Sequence, residues 1–361
     1  MIIAVFMMPI SSLSVRLGDR DIGANAPVYV IAEMSANHCN DFSKAAQIIT
    51  AAGAAGADAV KIQTYTADTL TIDAPGEQFK VRKGTLWEGR TLYDLYAEAS
   101  TPWEWQPKIK AMVEDCGLQF FSTPFDPTAV DFLEALEVPA YKIASFEIVD
   151  LPLIAKAAAT GKPLIISTGM ASLAEIDEAV TTARCAGSGG VILLHCCSAY
   201  PAHPESMHLR TVAHLAQTFA APTGLSDHTL GIAAPVAAVA LGGCVIEKHL
   251  TLSRNESSPD AAFSLEPEEF SRMVQAVRFA QTALGGVHYG PSPQERASLA
   301  FRRSLFVVKD VRQGEIFTEN NIRSIRPSGG LPPKFLGEIL GRRASKDAAK
   351  GTPLSWDLIG G

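Results

Sequence analysis

The chain has 361 residues, 47% of them hydrophobic, which supplies core for one large domain and a smaller one beside it. A net charge of −7 argues against a nucleic-acid surface, and six cysteines with no CxxC pair argue against a disulfide framework or zinc module, so reduced thiols in a cytoplasmic protein are expected. The charge is uneven: from Arg302 onward 11 Lys/Arg stand against 6 Asp/Glu, leaving +5 there and, from the total of −7, −12 on residues 1–301, which suits docking between tail and body or an anionic ligand at their junction.

The opening MIIAVFMMPI is apolar but has no basic flank or cleavage site and half the length of a membrane span. It reads as a disordered or over-called start, with Met8 an alternative initiator, and residues 1–26 as an N-terminal extension. Beyond it, short Val/Ile-rich runs alternate with helical patterns. The runs are VYVIAEMS (28–35), AVKIQT (59–64), LQFFST (118–123), AYKIAS (140–145), PLIISTG (163–169), VILLHCCS (191–198), PTGLSD (222–227) and CVIEKHL (244–250). Stretches such as SKAAQIITAAGAAG and LAEIDEAVTTARCAG follow them, opening near Ser, Asp or Pro and closing on Gly, as helix caps require. Eight strands, each followed by a helix, predict an α/β fold of the (β/α)₈ TIM-barrel type over 27–287. An open doubly wound sheet would want GxGxxG after an early strand, where this chain has SANHCNDF. The longest connection, 65–100, reads as a lid or substrate loop. The Ala-rich PVAAVALGGCVI is broken by Gly242 and Gly243, so it reads as a buried helix and strand, and no membrane span is expected.

After Gly290, PSPQER begins a linker (288–302) to a small β-rich module (303–361). There KDVRQGEIFTENNI (309–322) and KDAAKGTPLSWDLI (346–359) align at an offset of 37 residues, as two copies of a turn-and-strand unit. A module this small is marginal alone.

Polar residues interrupt the apolar runs toward their C-terminal ends: Glu33, Lys61 with Gln63, Ser122 with Thr123, Lys142 with Ser145, Ser167, His195 with Ser198, Ser226 with Asp227, and Glu247 with His249. In a barrel these ends share one rim, where active sites are built. Lysines and hydroxyls converging there suit a ligand carrying phosphate and carboxylate. His228 and His249, at the ends of adjacent strands, suit a divalent cation whose shell is completed by substrate or water. Strand parity puts Glu247 and His249 on one face and turns Lys248 to the helical layer. Cys196 and Cys197 read as small core residues, and His195 is open between a site role and a plain hydrogen bond.

EMSANH, VKIQTYT, FFSTPFD, PAYKIASFE, ISTGMAS, GLSDHTLG and EKHLTL, with IRPSGG in the basic tail, resemble the sialic acid synthases from about Pro27 to Ile359. The resemblance implies condensation of phosphoenolpyruvate with an open-chain amino-sugar aldehyde on Mn²⁺ or Mg²⁺, in a barrel followed by an antifreeze-like (SAF) domain that covers the partner's barrel in a domain-swapped homodimer. It implies that Lys61, Thr123, Lys142, Ser145, Ser167 and Ser226 bind phosphoenolpyruvate and that His228 and His249 bind the metal. Glu33 and Glu147 are the implied acid/base pair, Gln63, Tyr200 and Asp260 the implied sugar contacts, and Arg326 the residue reaching the partner's sugar site. KGTLWEGRTLYDLY, TPWEW, FRRSLFVV and GTPLSWDLI are most similar to the branch acting on 2,4-diacetamido-2,4,6-trideoxy-altrose, with the neuraminic and legionaminic branches as alternatives. Two departures stand out: NHCN replaces the family's NHNG, and SSPD replaces GGPD, placing Ser257 and Ser258 where glycine is freer. A Schiff-base aldolase using Lys61 or Lys142 is the competing reaction class.

Overall fold

A computed structural model describes residues 13–81, 84 and 86–360, and the opening MIIAVFMMPI lies outside them. The chain divides into two compact units, Met1–Gly285 and Gly286–Gly361.

In the first unit, β1 (Ser14–Leu17) and β2 (Arg20–Gly23) form an antiparallel hairpin. Eight parallel strands follow: β3 (Tyr29–Glu33), β4 (Ala59–Thr64), β5 (Gln119–Pro124), β6 (Tyr141–Ile143), β7 (Leu164–Ser167), β8 (Val191–Cys196), β9 (Thr223–Asp227) and β10 (Val245–His249). They close in chain order, with β10 pairing back to β3, and each lies within a residue of the run that predicts it. The strands read as continuous apolar runs because both faces are covered: side chains fill the barrel and helices pack outside. Local chemistry starts and stops those helices. Asp41 accepts from Ser43 N at 2.8 Å to begin the helix Phe42–Ala55, and Gly56 ends it at φ 85°. Ser172 and Glu175 form a capping box on Leu173–Cys185.

The hairpin lies at the N-terminal ends of the strands, where Gln119 Nε2 donates to Leu17 O at 3.1 Å and the Tyr29 hydroxyl donates to Gln119 Oε1 at 2.6 Å. Val15, Leu17 and Ile22 join the barrel core. The opposite rim is thereby left for chemistry. Among the described residues no helix is long and apolar enough to cross a membrane.

The second unit pairs β11 (Ser304–Val307) with β12 (Ile322–Ile325) around a core that includes Leu305, Val307, Phe317, Ile322 and Leu354. The 37-residue repeat is a structural two-fold. Val311 N donates to Ala348 O at 2.9 Å and Ala348 N donates back to Val311 O at 2.8 Å. Lys350 N donates to Asp310 Oδ1 and Gln313 N to Asp347 Oδ1, both at 2.7 Å. Each copy supplies a hydrogen-bond partner that the other's turn lacks.

Candidate active site

A cavity of about 60 Å³ opens at the C-terminal rim of the barrel, lined by Glu33, Lys61, Gln63, Thr123, Lys142, Ser145, Ser167, Tyr200, Ser226, His228 and His249 from the expected set. Glu247, Cys196, Phe125 and Ala144 complete the lining.

Two buried lysines form its polar end. Lys61 Nζ lies 2.6 Å from Glu33 Oε2, 3.7 Å from Glu247 Oε1, and donates to Thr123 Oγ1 at 3.2 Å. Lys142 Nζ donates to Ser167 Oγ at 2.6 Å and to Ile143 O at 3.1 Å, with Glu247 Oε1 at 3.9 Å. Ser226 Oγ donates to the same Glu247 oxygen at 3.1 Å. Burial works against the Lys61 charge, but Glu247 and Glu33 outweigh it and raise its pKa. For Lys142, burial prevails, aided by Lys61, and its pKa falls below the ordinary lysine value. Burial raises the Glu33 pKa despite the opposing Lys61. On Glu247 the two lysines prevail over burial and hold it ionised. Glu247 is thus the internal counterion of both ammoniums.

Gln63 Nε2 donates to Glu33 Oε1 at 3.1 Å and to Ser35 Oγ at 3.0 Å. Ser35 in turn bonds the Asp260 carboxylate, which also accepts from Ala36 N at 3.4 Å. Asp260 therefore stands behind the cavity wall and not in it. Ser35, Cys39 and Asn40 all have left-handed backbones, with φ of 45°, 50° and 54°. Asn40, where the related NHNG has glycine, tolerates this and donates through Nδ2 to Glu98 O at 3.0 Å. The SSPD departure costs nothing of this kind: neither serine is left-handed, and Ser258 Oγ donates to Asn37 Oδ1 at 2.7 Å while accepting from Asp260 N at 3.2 Å.

At the other end the rings of His228 and His249 stand 5.3 Å apart at 57°. His228 Nδ1 donates to Cys197 O at 3.1 Å; burial works against charge on this ring, but Cys196 and the Cys197 carbonyl outweigh it and raise its pKa. Burial, with His228 and Lys61 adding to it, keeps His249 neutral, and its buried Nδ1 has no hydrogen-bond partner. Two imidazoles at the ends of adjacent strands fit a divalent cation whose remaining positions belong to substrate or water, provided His228 gives up the proton that its surroundings favour. Among the described residues no three His, Cys, Asp or Glu side chains form a group that could hold a metal ion by themselves.

Glu147 does not line the cavity. It follows β6 on a 3₁₀ turn within electrostatic reach of Lys142, its Oε2 is buried without a partner, and burial pushes its pKa up to about 7. Arg326 is exposed on the second unit, beside Arg302 and Arg303.

Polar residues on the outward strand face are satisfied in the helical layer, which removes several rim candidates. The Ser122 hydroxyl pairs with Thr64 Oγ1 at 2.6 Å, and His195 Nε2 donates to Met207 O at 2.5 Å. Asp227 binds Lys248, as parity predicts for that lysine. Cys196 runs the other way: expected as core, it faces the cavity with Sγ 3.8 Å from His228 Nδ1. A thiol reads as core in sequence, and only the position of His228 reveals it. The connection 65–100 returns over the rim, where Trp87 Nε1 donates to Pro259 O at 3.0 Å.

A sequence profile described as the NeuB family matches residues 48–289, and one described as the SAF domain matches residues 302–360. The pseudaminic acid synthase of Helicobacter pylori is 44% identical over 335 residues, spanning 92% of this chain and 98% of the relative. The N,N'-diacetyllegionaminic acid synthase of Legionella pneumophila is 37% identical over 347 residues, spanning 95% and 97%. The crystal structure of an N-acetylneuraminic acid synthetase from Leptospira borgpetersenii superposes with a TM-score of 0.70 at 32% identity, covering 79% of this chain and 95% of that one. With more than half its length matched by that profile and relatives of this identity along nearly all of it, the chain belongs to the NeuB family.

Proposed function

We propose that this protein is a pseudaminic acid synthase, condensing phosphoenolpyruvate, 2,4-diacetamido-2,4,6-trideoxy-altrose and water into pseudaminic acid and phosphate. The observation that carries the chemistry is the buried pair Lys61 and Lys142 beside the imidazoles of His228 and His249 in one cavity. The choice of sugar follows the greater likeness to the Helicobacter relative than to the Legionella one.

Phosphoenolpyruvate brings phosphate and carboxylate oxygens to Lys61 and Lys142, with the hydroxyls of Thr123, Ser145, Ser167 and Ser226 as further donors. A divalent cation on His228 and His249 would supply Lewis-acid polarisation of the sugar aldehyde. The C3–C1 bond forms as C3 of phosphoenolpyruvate attacks the aldehyde carbon, and Glu147, whose raised pKa keeps a protonated fraction at neutral pH, is the proton source for the new hydroxyl, reaching it from outside the cavity lining through water. Water then adds at C2 and gives its proton to Glu33, whose carboxylate Gln63 orients. The C2–O bond to phosphate then breaks as the C2 hydroxyl becomes the ketone, its proton goes to the departing phosphate, and the lysines carry the remaining charge. Gln63 and Tyr200 form the sugar side, with Asp260 behind them holding Ser35.

The working unit in this reading is a homodimer in the cytoplasm, where six free cysteines are at home. The C-terminal unit of one copy covers the barrel mouth of the other, and Arg326 of its exposed arginine cluster meets the sugar. Deleting 303–361, along the expected boundary, then abolishes synthesis, as does Arg326→Ala to a lesser degree. Phosphate release measured with a panel of sugars tests the whole reading. Turnover of N-acetylmannosamine equal to that of the trideoxy sugar would refute it. A borohydride-trapped Schiff base on Lys61 or Lys142 would instead establish the aldolase chemistry.

A further inference from the structure

Of the aromatic rings around the two histidines, Tyr200 alone has a part in the chemistry above, on the sugar side, and Trp87 and Phe263 have none. Ring centre to ring centre, Tyr200 stands 4.4 Å from His228 and 5.1 Å from Phe263, and Phe263 stands 4.9 Å from His249. Trp87 joins this cluster 5.7 Å from Tyr200 at 50°, inside the range of favourable aromatic pairs. The polar handles of these rings are consumed within the protein. Trp87 Nε1 is held by Pro259 O, the Tyr200 hydroxyl is engaged with Ser198, and phenylalanine has none. Tyr200 lines the cavity with Trp87 and Phe263 packed behind it, so what this side offers a ligand beyond the histidines is ring face and carbon, in contrast to the lysines and hydroxyls across the cavity.

We infer that Trp87 is a positioning residue for sugar specificity: from the 65–100 connection it holds Tyr200 against Phe263, so that together they form an apolar wall for the deoxygenated end of a 6-deoxy amino sugar. This rests on the sugar assignment proposed above. A 6-hydroxyl brought against such a wall gives up its water and gains no partner. Trp87 also ties the 65–100 connection to the segment after β10, so one side chain fixes both rim loops that flank Tyr200. The wall is not a strict filter, because an apolar pocket rejects an added hydroxyl only about 100-fold.

The test uses full-length wild type, Trp87→Ala and Trp87→Phe, assayed by phosphate release with 2,4-diacetamido-2,4,6-trideoxy-altrose and with its 6-hydroxy counterpart. KM and kcat are separated for each sugar and for phosphoenolpyruvate. Trp87→Ala is expected to raise the KM of the deoxy sugar about tenfold, to shrink the preference for it over the hydroxy sugar about tenfold, and to leave the phosphoenolpyruvate KM within about twofold. Trp87→Phe keeps a ring on Tyr200 and restores most of the preference. Trp87→Leu fills the same space without a ring and gives the same reading should the alanine variant not fold. An unchanged preference in the Ala or Leu variant, or equal losses for both sugars and phosphoenolpyruvate, overturns the wall alone. A wild-type enzyme that prefers N-acetylmannosamine overturns the sugar assignment and the wall with it.

Discussion

Lys61 Nζ and Glu33 Oε2 lie 2.6 Å apart where β3 meets β4, both side chains buried, so the ammonium that should receive an anionic substrate already holds an internal carboxylate. Glu33 competes with the substrate for that charge while also serving the proton transfer. Glu33→Gln separates the two roles, because the amide keeps the shape and loses the charge. The expected outcome is a kcat lowered by about 100-fold or more, with a phosphoenolpyruvate KM equal to or below that of the wild type. Steady-state phosphate release at varied phosphoenolpyruvate decides it. A higher KM with kcat intact would assign Glu33 to binding and remove it from the chemistry.

A second buried pair carries stability. Lys248 Nζ lies 2.5 Å from Asp227 Oδ2 with neither side chain exposed, and Asp227 also accepts from Thr229 N at 3.0 Å. Removing one member strands the other's charge, which typically costs about 3–5 kcal/mol, whereas neutralising both is far less costly. Lys248→Met is therefore expected to destabilise the barrel by about that amount, and Asp227→Asn with Lys248→Met to recover more than half of it. Urea unfolding followed by circular dichroism measures both. A single Lys248→Met within about 1 kcal/mol of wild type would mean that the carboxylate finds water or a proton without penalty.

These two pairs mark how far the sequence could be read. The eight strands are legible because a strand buried on both faces must be apolar throughout, and the rim because polar residues collect at one end of each run. Which polar residues enter the cavity depends on facing as well as position. Glu247 and Lys248 are neighbours on one strand, yet one is the counterion of the two cavity lysines and the other a strut to the helical layer. The 37-residue repeat is legible because both copies use the same turn chemistry, and their reciprocal bonds through Asp310 and Asp347 follow from it. The β1–β2 hairpin is not legible, since strands of four residues carry too little pattern. Nor is the Trp87–Pro259 bond, which joins positions 172 residues apart through two irregular loops.

The pH profile follows from Glu147. Its pKa is raised by burial to about 7, so the carboxyl is largely protonated below neutrality. As a proton donor it makes kcat/KM fall as pH rises through about 7, and Glu147→Gln should lower the rate and abolish that limb. The same shift bears on stability. A carboxyl whose folded pKa exceeds its unfolded value of 4.5 stabilises the fold below that value, and the contribution is lost as pH rises toward 7. Glu147→Gln should accordingly be more stable than wild type at pH 8 and closer to it at pH 4.5. A kcat/KM that rises through pH 7 in the wild type would make Glu147 the base and reverse the roles given to the two glutamates.

Metal removal tests the histidine pair. His249 has ring contacts with His228 and Phe263, while its buried Nδ1 has no hydrogen-bond partner, so the fold gains little from its polarity. A buried imidazole kept neutral at that cost suits the ligand role proposed above. Exhaustive EDTA treatment should therefore abolish turnover, and Mn²⁺ or Mg²⁺ should restore it. His249→Ala should weaken Mn²⁺ binding, followed by the loss of the free-ion electron paramagnetic signal on titration, by about tenfold or more. Phosphoenolpyruvate binding by calorimetry should persist, because its ligands are the lysines and hydroxyls at the other end of the cavity. A His249→Ala protein that binds Mn²⁺ as tightly as wild type would take the metal away from this pair, and its neutral ring would then be no more than packing against Phe263.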